Sequence, residues 1–308
     1  MTGTAWMGTD GAAAREQLGR VGVWLGALGR TPWAEAAAAA RRIEDLGYGA
    51  LWISETPAAR EPLAHAALLL GATERIPVAT GIASIWSRDA LAARNGALAL
   101  AEAHPGRFAL GLGVSHAPAV QLRGQEYFKP LTAMRAYLDA FDAAPWQGAA
   151  PPQAPPVLLA ALRPRMLELA RDRTAGAHPY FTPVEHTAIA RERLGAGPVL
   201  APEVSIALEA DAGAARERAR SFMQLYLQLP NYTNNLRDLG WSDADLAGGG
   251  SDALVDAIVG WGDVDAVAAR VRAHLDAGAD HVCVQPVGTD VAGAVAELER
   301  LAPALLAG

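Results

Sequence analysis

The chain has 308 residues, 51% hydrophobic and 19% charged, with 26 Lys and Arg against 33 Asp and Glu. The net charge of −7 speaks against nucleic acid or an anionic membrane surface as a partner, since both would repel it. A single cysteine excludes a disulfide framework and a cysteine-based zinc cluster, and no apolar run approaches spanning length, so a cytoplasmic protein is expected.

Residues 1–20 are small and polar and read as an N-terminal arm; residues 21–308 read as one domain. Val21 to Leu25 forms a first apolar strand. Thr31-Pro32 follows as a helix N-cap with proline at the first helical position, and the Ala-rich helix ends at Gly47. Ala50 to Ile53 is a second strand, with a helix over 61–70. Pro77 to Ile82 is a third, with a helix over 88–103. Phe108 to Gly113 is a fourth, with a helix over 130–143. A Pro-rich connector leads to a fifth strand, 157–160, and a helix over 163–173. A weaker sixth strand, Gly176 to Phe181, precedes a helix over 183–194. Val199 to Leu208 is the seventh, with a helix over 211–228. The segment 229–262 is an irregular insertion, a lid or a surface helix pair. A helix over 264–277, an eighth strand at 282–285 and a closing helix from Val291 complete the chain.

Eight short apolar strands, each followed by a helix, predict an α/β fold: a (β/α)8 TIM barrel with an insertion between strands 7 and 8. A doubly wound sheet would place G-x-G-x-x-G after its first strand. Gly26 and Gly29 do not fit that spacing, and no helix starts there until Pro32. Cys283, within His281-Val282-Cys283-Val284, reads as a buried structural thiol.

In a barrel of this kind the residues just after each strand form the active mouth. Here they include Gly26, Ser54, Glu55, Thr56, Gly81, Ile82, Trp86, Gly113, Ser115, His116, Ala160, Ala161, Arg163, His178, Tyr180, Phe181, Glu203 and Gln285. They show no metal-ligand spacing and no nucleophile elbow, so a metal site is not expected. A mouth lined by Gly, Ala and apolar side chains suits an organic cofactor that brings its own reactivity.

Three phrases carry a family likeness: Ala50-Leu51-Trp52-Ile53-Ser54-Glu55, Ala79-Thr80-Gly81-Ile82, and Pro105-Gly106-Arg107-Phe108 with the strand to Gly113. In order and spacing they resemble the luciferase-like monooxygenases, and within them the actinobacterial branch that uses the deazaflavin coenzyme F420. The resemblance implies a cofactor site at Ser54, Glu55, Thr80, Gly81, Ile82, Gly113, Val114, Ser115, Ala160, Ala161, Arg163, Gly176, Ala177 and His178. It also implies a non-proline cis peptide at Gly81-Ile82 beneath the tricyclic ring, although Gly81 equally suits a strand end that a neighbour approaches closely. Glu55 stands where the family holds the deazaflavin side chain or acts as acid or base; paired with an arginine it would be structural. Arg163 is a charge partner for the phosphate region or a surface residue at a helix start. The family's sugar-phosphate dehydrogenases carry a His after the second-strand acid and a carboxylate after the fourth strand. This chain has Thr56 and His116 there, so it should not share their substrate.

His116 is the leading candidate for proton transfer, against a structural role, with His178 behind it. Trp24, Trp86, Tyr180 and Phe181 are expected to wall the substrate pocket. Three functions follow: an F420-dependent oxidoreductase, a monooxygenase using reduced FMN and oxygen, or a cofactor-binding relative without turnover. A small-molecule substrate and, by the resemblance, a homodimer are expected.

Overall fold

The structure, a computed structural model, describes residues 8–307. Residues 1–7 of the expected arm lie outside them. The strands are β1 (Val21–Trp24), β2 (Leu51–Ile53), β3 (Val78–Thr80), β4 (Ala83–Ser84), β5 (Phe108–Gly113), β6 (Val157–Leu159), β7 (Gly176–Ala177), β8 (Val199–Leu200), β9 (Glu203–Ala207), β10 (Val259–Trp261) and β11 (Val282–Pro286). All pair in parallel, in the order β10-β9-β11-β1-β2-β3-β5-β6-β7-β8, with β4 alongside β5.

The expected seventh strand is split at Ala201 and Pro202. Proline has no N–H to give a ladder, and the chain changes partner there. Val199–Leu200 pairs with β7, while Glu203–Ala207 pairs with β11. One stretch of chain thus joins β8, at one end of the strand order, to β9, next to the other end, and closes the TIM-barrel-like fold.

The helices are α1 (Gly11–Leu18), α2 (Trp33–Asp45), α3 (Pro62–Ala72), α4 (Ala90–Ala103), α5 (Ala117–Leu122), α6 (Pro130–Ala143), α7 (Pro164–Arg173), α8 (Val184–Leu194), α9 (Ala212–Tyr226), α10 (Pro230–Asp238), α11 (Asp243–Leu246), α12 (Asp252–Ile258), α13 (Val264–Asp276) and α14 (Val291–Leu305). Helix α2 starts one residue later than expected. Pro32 precedes it without a side-chain bond, and Thr31 donates back to Ala27 O (3.0 Å).

Most of the expected arm is ordered: Asp10 caps α1 by accepting from Ala12 N and Ala13 N. Ala14 and Leu18 are fully buried and join the cluster inside the barrel, so α1 plugs its N-terminal end. Arg15 fixes the plug, donating to Asp280 (2.8 Å) and to Ala196 O and Gly197 O.

The barrel interior is built from small residues: Ala50, Ala79, Ala109, Ala175 and Ala201. Trp24 and Trp52 fill the space they leave. Trp52 Nε1–H donates to His281 Nε2 (3.0 Å), and His281 Nδ1–H donates to Gly19 O (2.8 Å). Trp52 also stacks on His178, with centroids 4.3 Å apart. Outside the strands a second core, including Ile43, Leu69, Leu110, Met134 and Leu298, seals the sheet to the helices. Cys283 is fully buried, as its sequence neighbours suggest.

The expected insertion is not irregular. It consists of α10, α11, α12 and β10, which lies beside β9 with Val259 opposite Ser205. A third cluster, with Phe181, Tyr232, Leu236 and Val255, ties it to the barrel. No described helix is long and apolar enough to cross a membrane.

Candidate cofactor and substrate site

Strand direction places the ends of β1, β2, β3, β5 and β6 around one mouth. Glycines let those ends meet. A Cβ on Gly81 would fall 2.5 Å from Trp24 Nε1, and one on Gly113 would fall 2.5 Å from Ile82 Cγ1 and 3.1 Å from the Ala160 Cβ. The Gly81-Ile82 bond is cis, at the position the resemblance implied. Trp24 Nε1–H donates to Gly81 O (3.2 Å), fixing the indole beside it. Ser54, Gly81, Ile82, Val114, Ser115 and Ala160 are half-buried. Together they give a floor of small and apolar groups with two hydroxyls on its edge. Ser115 holds φ of 54°, a left-handed conformation that turns the chain sharply after β5.

Other expected cofactor contacts lie beneath this floor. The Thr80 hydroxyl bridges β3 and β5, donating to Gly111 O (2.8 Å) and accepting from Gly111 N (2.9 Å). Gly176 and Ala177 are fully enclosed in β7; a Cβ on Gly176 would lie 2.0 Å from Val199 O, so that glycine serves strand contact. Ala161 is buried in the outer core. His178 is 1% exposed; its Nδ1–H donates to Ala201 O (2.7 Å), and burial draws the imidazole down to about 4. Its Nε2 has no hydrogen-bond partner and lies 3.1 Å from where a Cβ on Gly81 would stand. His178 therefore supports the floor and does not meet solvent as a proton donor.

Glu55 is enclosed by its partners. Its carboxylate accepts from Arg88 (2.9 Å), Arg123 (2.9 Å) and Ser84 N (2.8 Å), and its side chain is 4% exposed. Arg88 also pairs with Glu61 (2.8 Å). This is the structural carboxylate that a nearby arginine would make of it. A pocket of about 350 Å³ lies beside the network. A larger cleft, about 810 Å³, lies at the opposite end of the barrel beside α1, among Asp10, Arg15 and Arg171, away from the mouth.

The mouth's aromatic wall is only partly the expected one. Trp86 is pinned by its Nε1–H to Val114 O (2.8 Å) and faces Tyr127. Trp24 meets Tyr180 at 5.2 Å between ring centroids. Phe181, however, is 1% exposed, packed against Tyr226 (5.0 Å) and Tyr232 (5.4 Å). It anchors the insertion instead of facing the pocket. His116 lies 5.1 Å from the Tyr232 ring, and burial lowers its pKa, so the imidazole is neutral at physiological pH. Arg163, at the start of α7, pairs with Asp238 at the end of α10 (3.1 Å) and stands at the rim.

Sequence reasoning placed Glu203 and Gln285 at the mouth without a specific role, and did not single out Tyr226, Tyr232 or Ser205. Tyr180 Oη donates to Gln285 Oε1 (2.9 Å) and lies 2.8 Å from Tyr226 Oη. Glu203 is buried behind them, and burial pushes its carboxyl up to about 7. The signal for Glu203 was its lone acid in an otherwise apolar strand; Tyr226 comes from the end of α9 and Tyr232 from the insertion, where strand-end logic does not reach. Among the described residues no group of acidic, His or Cys side chains could hold a metal ion.

The match to the family model decides the lineage: the luciferase-like monooxygenase model fits residues 16–281. The chain belongs to the luciferase-like monooxygenase family. This luciferase-like chain matches no curated protein significantly. Its fold is shared with solved structures. An EDTA monooxygenase from Chelativorans sp. BNC1 has a TM-score of 0.72 at 13% identity, over 93% of this chain and 93% of that one. The coenzyme F420-dependent tetrahydromethanopterin reductase from Methanopyrus kandleri has a TM-score of 0.70 at 17% identity, over 92% and 98%. An F420-dependent secondary alcohol dehydrogenase, solved with an F420-acetone adduct, has a TM-score of 0.66 at 15% identity, over 93% and 98%. These likenesses show the fold.

The luciferase-like mouth fits a flavin or deazaflavin. A planar ring needs a flat apolar floor, which Gly81, Ile82, Gly113 and Ala160 supply, and edge polar groups, which Ser54 and Ser115 supply. The orphaned His178 Nε2 lies directly under that floor.

Proposed function

We propose that this luciferase-like chain is a coenzyme F420-dependent oxidoreductase acting on an organic substrate. One observation carries the reading: the ionisable groups around the mouth are neutral or already paired. Glu55 is held by two arginines, and the imidazoles of His116 and His178 are lowered by burial. Such a mouth suits binding and orienting a cofactor that brings its own reactivity. When bound, the deazaflavin supplies hydride transfer at its C5.

The chain's residues would do the remainder. Ser54, Gly81, Ile82, Gly113, Val114, Ser115 and Ala160 would hold the ring system. Arg163 and Arg165, at the start of α7, would meet the anionic tail. His116 and Tyr180 are the polar groups left to hold a proton at a substrate oxygen. A second reading, an FMN monooxygenase, is favoured by the aromatic roof of Tyr180, Tyr226 and Tyr232, which would keep water from a reactive flavin.

Thermal unfolding with each cofactor separates the two, because a ligand of the folded state raises Tm by mass action. F420 is expected to raise Tm, and FMN at the same concentration to leave it unchanged. A shift with FMN alone moves the protein to the monooxygenase reading; a shift with neither removes both.

A further inference from the structure

Glu203 is a carboxyl inside a barrel, 1% exposed, with neutral donors only: Ser205 Oγ at 2.6 Å and Phe181 N at 3.2 Å. Among the described residues no cation helps to hold its charge. Burying an acid without a cation is costly, so its position calls for a reason. The Phe181 bond gives one. Phe181 holds φ of 58°, a conformation that side chains rarely adopt, and Glu203 accepts the N–H that this turn presents. The residue before it is Tyr180, whose ring meets Trp24 and whose hydroxyl joins Gln285 and Tyr226. Gln285 is the register partner of Ser205, so both ends of the Tyr180 arrangement lead back to the Glu203 strand.

We propose that Glu203 is a positioning residue for the mouth, exchanging one proton with solvent and passing the change through the Phe181 amide to Tyr180. Burial pushes the carboxyl up to about 7, while the Ser205 and Phe181 bonds oppose the rise. The titratable groups that feel it are uncharged at that pH: Cys283 from β11, Tyr180, Tyr226 from α9 and Tyr232 from α10; among the described residues the one charge reaching this ring is Arg30, which acts on Tyr226. Protonated, Glu203 adds no charge to this ring and Tyr180 stays seated on Gln285. Releasing its proton to water leaves a carboxylate, held only by the Ser205 hydroxyl and the Phe181 N–H, beside three tyrosines. Their hydroxyls turn towards it, and Tyr180 leaves its place over Trp24.

That the mouth is catalytic rests on the function proposed above; the titration of Glu203 does not. The test is therefore made on the full chain without cofactor. The indole N–H resonance of Trp24, assigned by Trp24→Phe, is followed by NMR between about pH 5.5 and pH 8.5. A one-proton transition near pH 7 is expected in the wild type, absent in Glu203→Gln and moved to higher pH in Ser205→Ala, which loses a bond to the carboxylate. A resonance that does not titrate in the wild type overturns the proposal, as does a transition that persists in Glu203→Gln. Should that variant not fold, an unmoved midpoint in Ser205→Ala overturns it equally.

Discussion

Burial draws the imidazoles of His65, His178 and His281 down to about 4 and that of His274 to about 3. In the unfolded chain each charges at about 6.5. Their contribution to stability is complete above that pH and drains as the pH falls towards the folded values. At pH 5 each has lost about 2 kcal/mol, or about 8 kcal/mol for the four. Glu203 acts in the opposite sense: its folded pKa is raised to about 7, so the folded chain keeps a proton that the unfolded chain releases. It returns roughly 2 kcal/mol between about pH 7.5 and 5. The net loss is about 6 kcal/mol, much of the roughly 5–15 kcal/mol that holds an ordinary domain folded. Urea unfolding followed by far-UV circular dichroism at the two pH values reads this directly. Stabilities that agree within about 2 kcal/mol would refute the reasoning, since the imidazoles would then reach water in the folded state.

Three further outcomes are expected. Glu55→Gln should lower unfolding stability by about 3 kcal/mol, because Arg88 and Arg123 lose their shared carboxylate; an unchanged Tm would return Glu55 to the cofactor. His116→Ala should lower turnover while cofactor affinity holds, and unaltered turnover passes the proton role to another group. Joint Arg163→Ala and Arg165→Ala should weaken F420 binding and make it less sensitive to salt; unchanged affinity by calorimetry removes the rim proposal.

The barrel was legible because each strand from Val21 to Leu159 is a short apolar run between clear helix signals. The break at Ala201-Pro202 was not, since it depends on which neighbour each half of the strand meets. Helix α1 was hidden for a similar reason: Ala14 and Leu18 look unremarkable until the open end of a barrel needs a plug. At the site, strand-end logic pointed to the glycine floor, Trp24 and Tyr180, which the structure brings together at one end of the barrel. Thr80, Gly176, Ala177 and Ala161, which it also named, are buried in strand and core contacts, because the pleat, not the chain order, decides which way a side chain points. Glu55 suits a cofactor or catalytic contact or a structural ion pair, and Arg123, which supports the second, lies 68 residues away along the chain, beyond the reach of local pattern.

Titration of the purified chain with F420 and with FMN, following tryptophan fluorescence, tests the central claim most directly, with Gly113→Val as the blocked mouth. A valine there must displace Ile82, whose Cγ1 would stand 2.5 Å from even a first added carbon. The account predicts saturable quenching by F420 in the wild type, much weaker quenching by FMN, and loss of F420 binding in a folded Gly113→Val. Preference for FMN, or F420 binding that survives the valine, would contradict it.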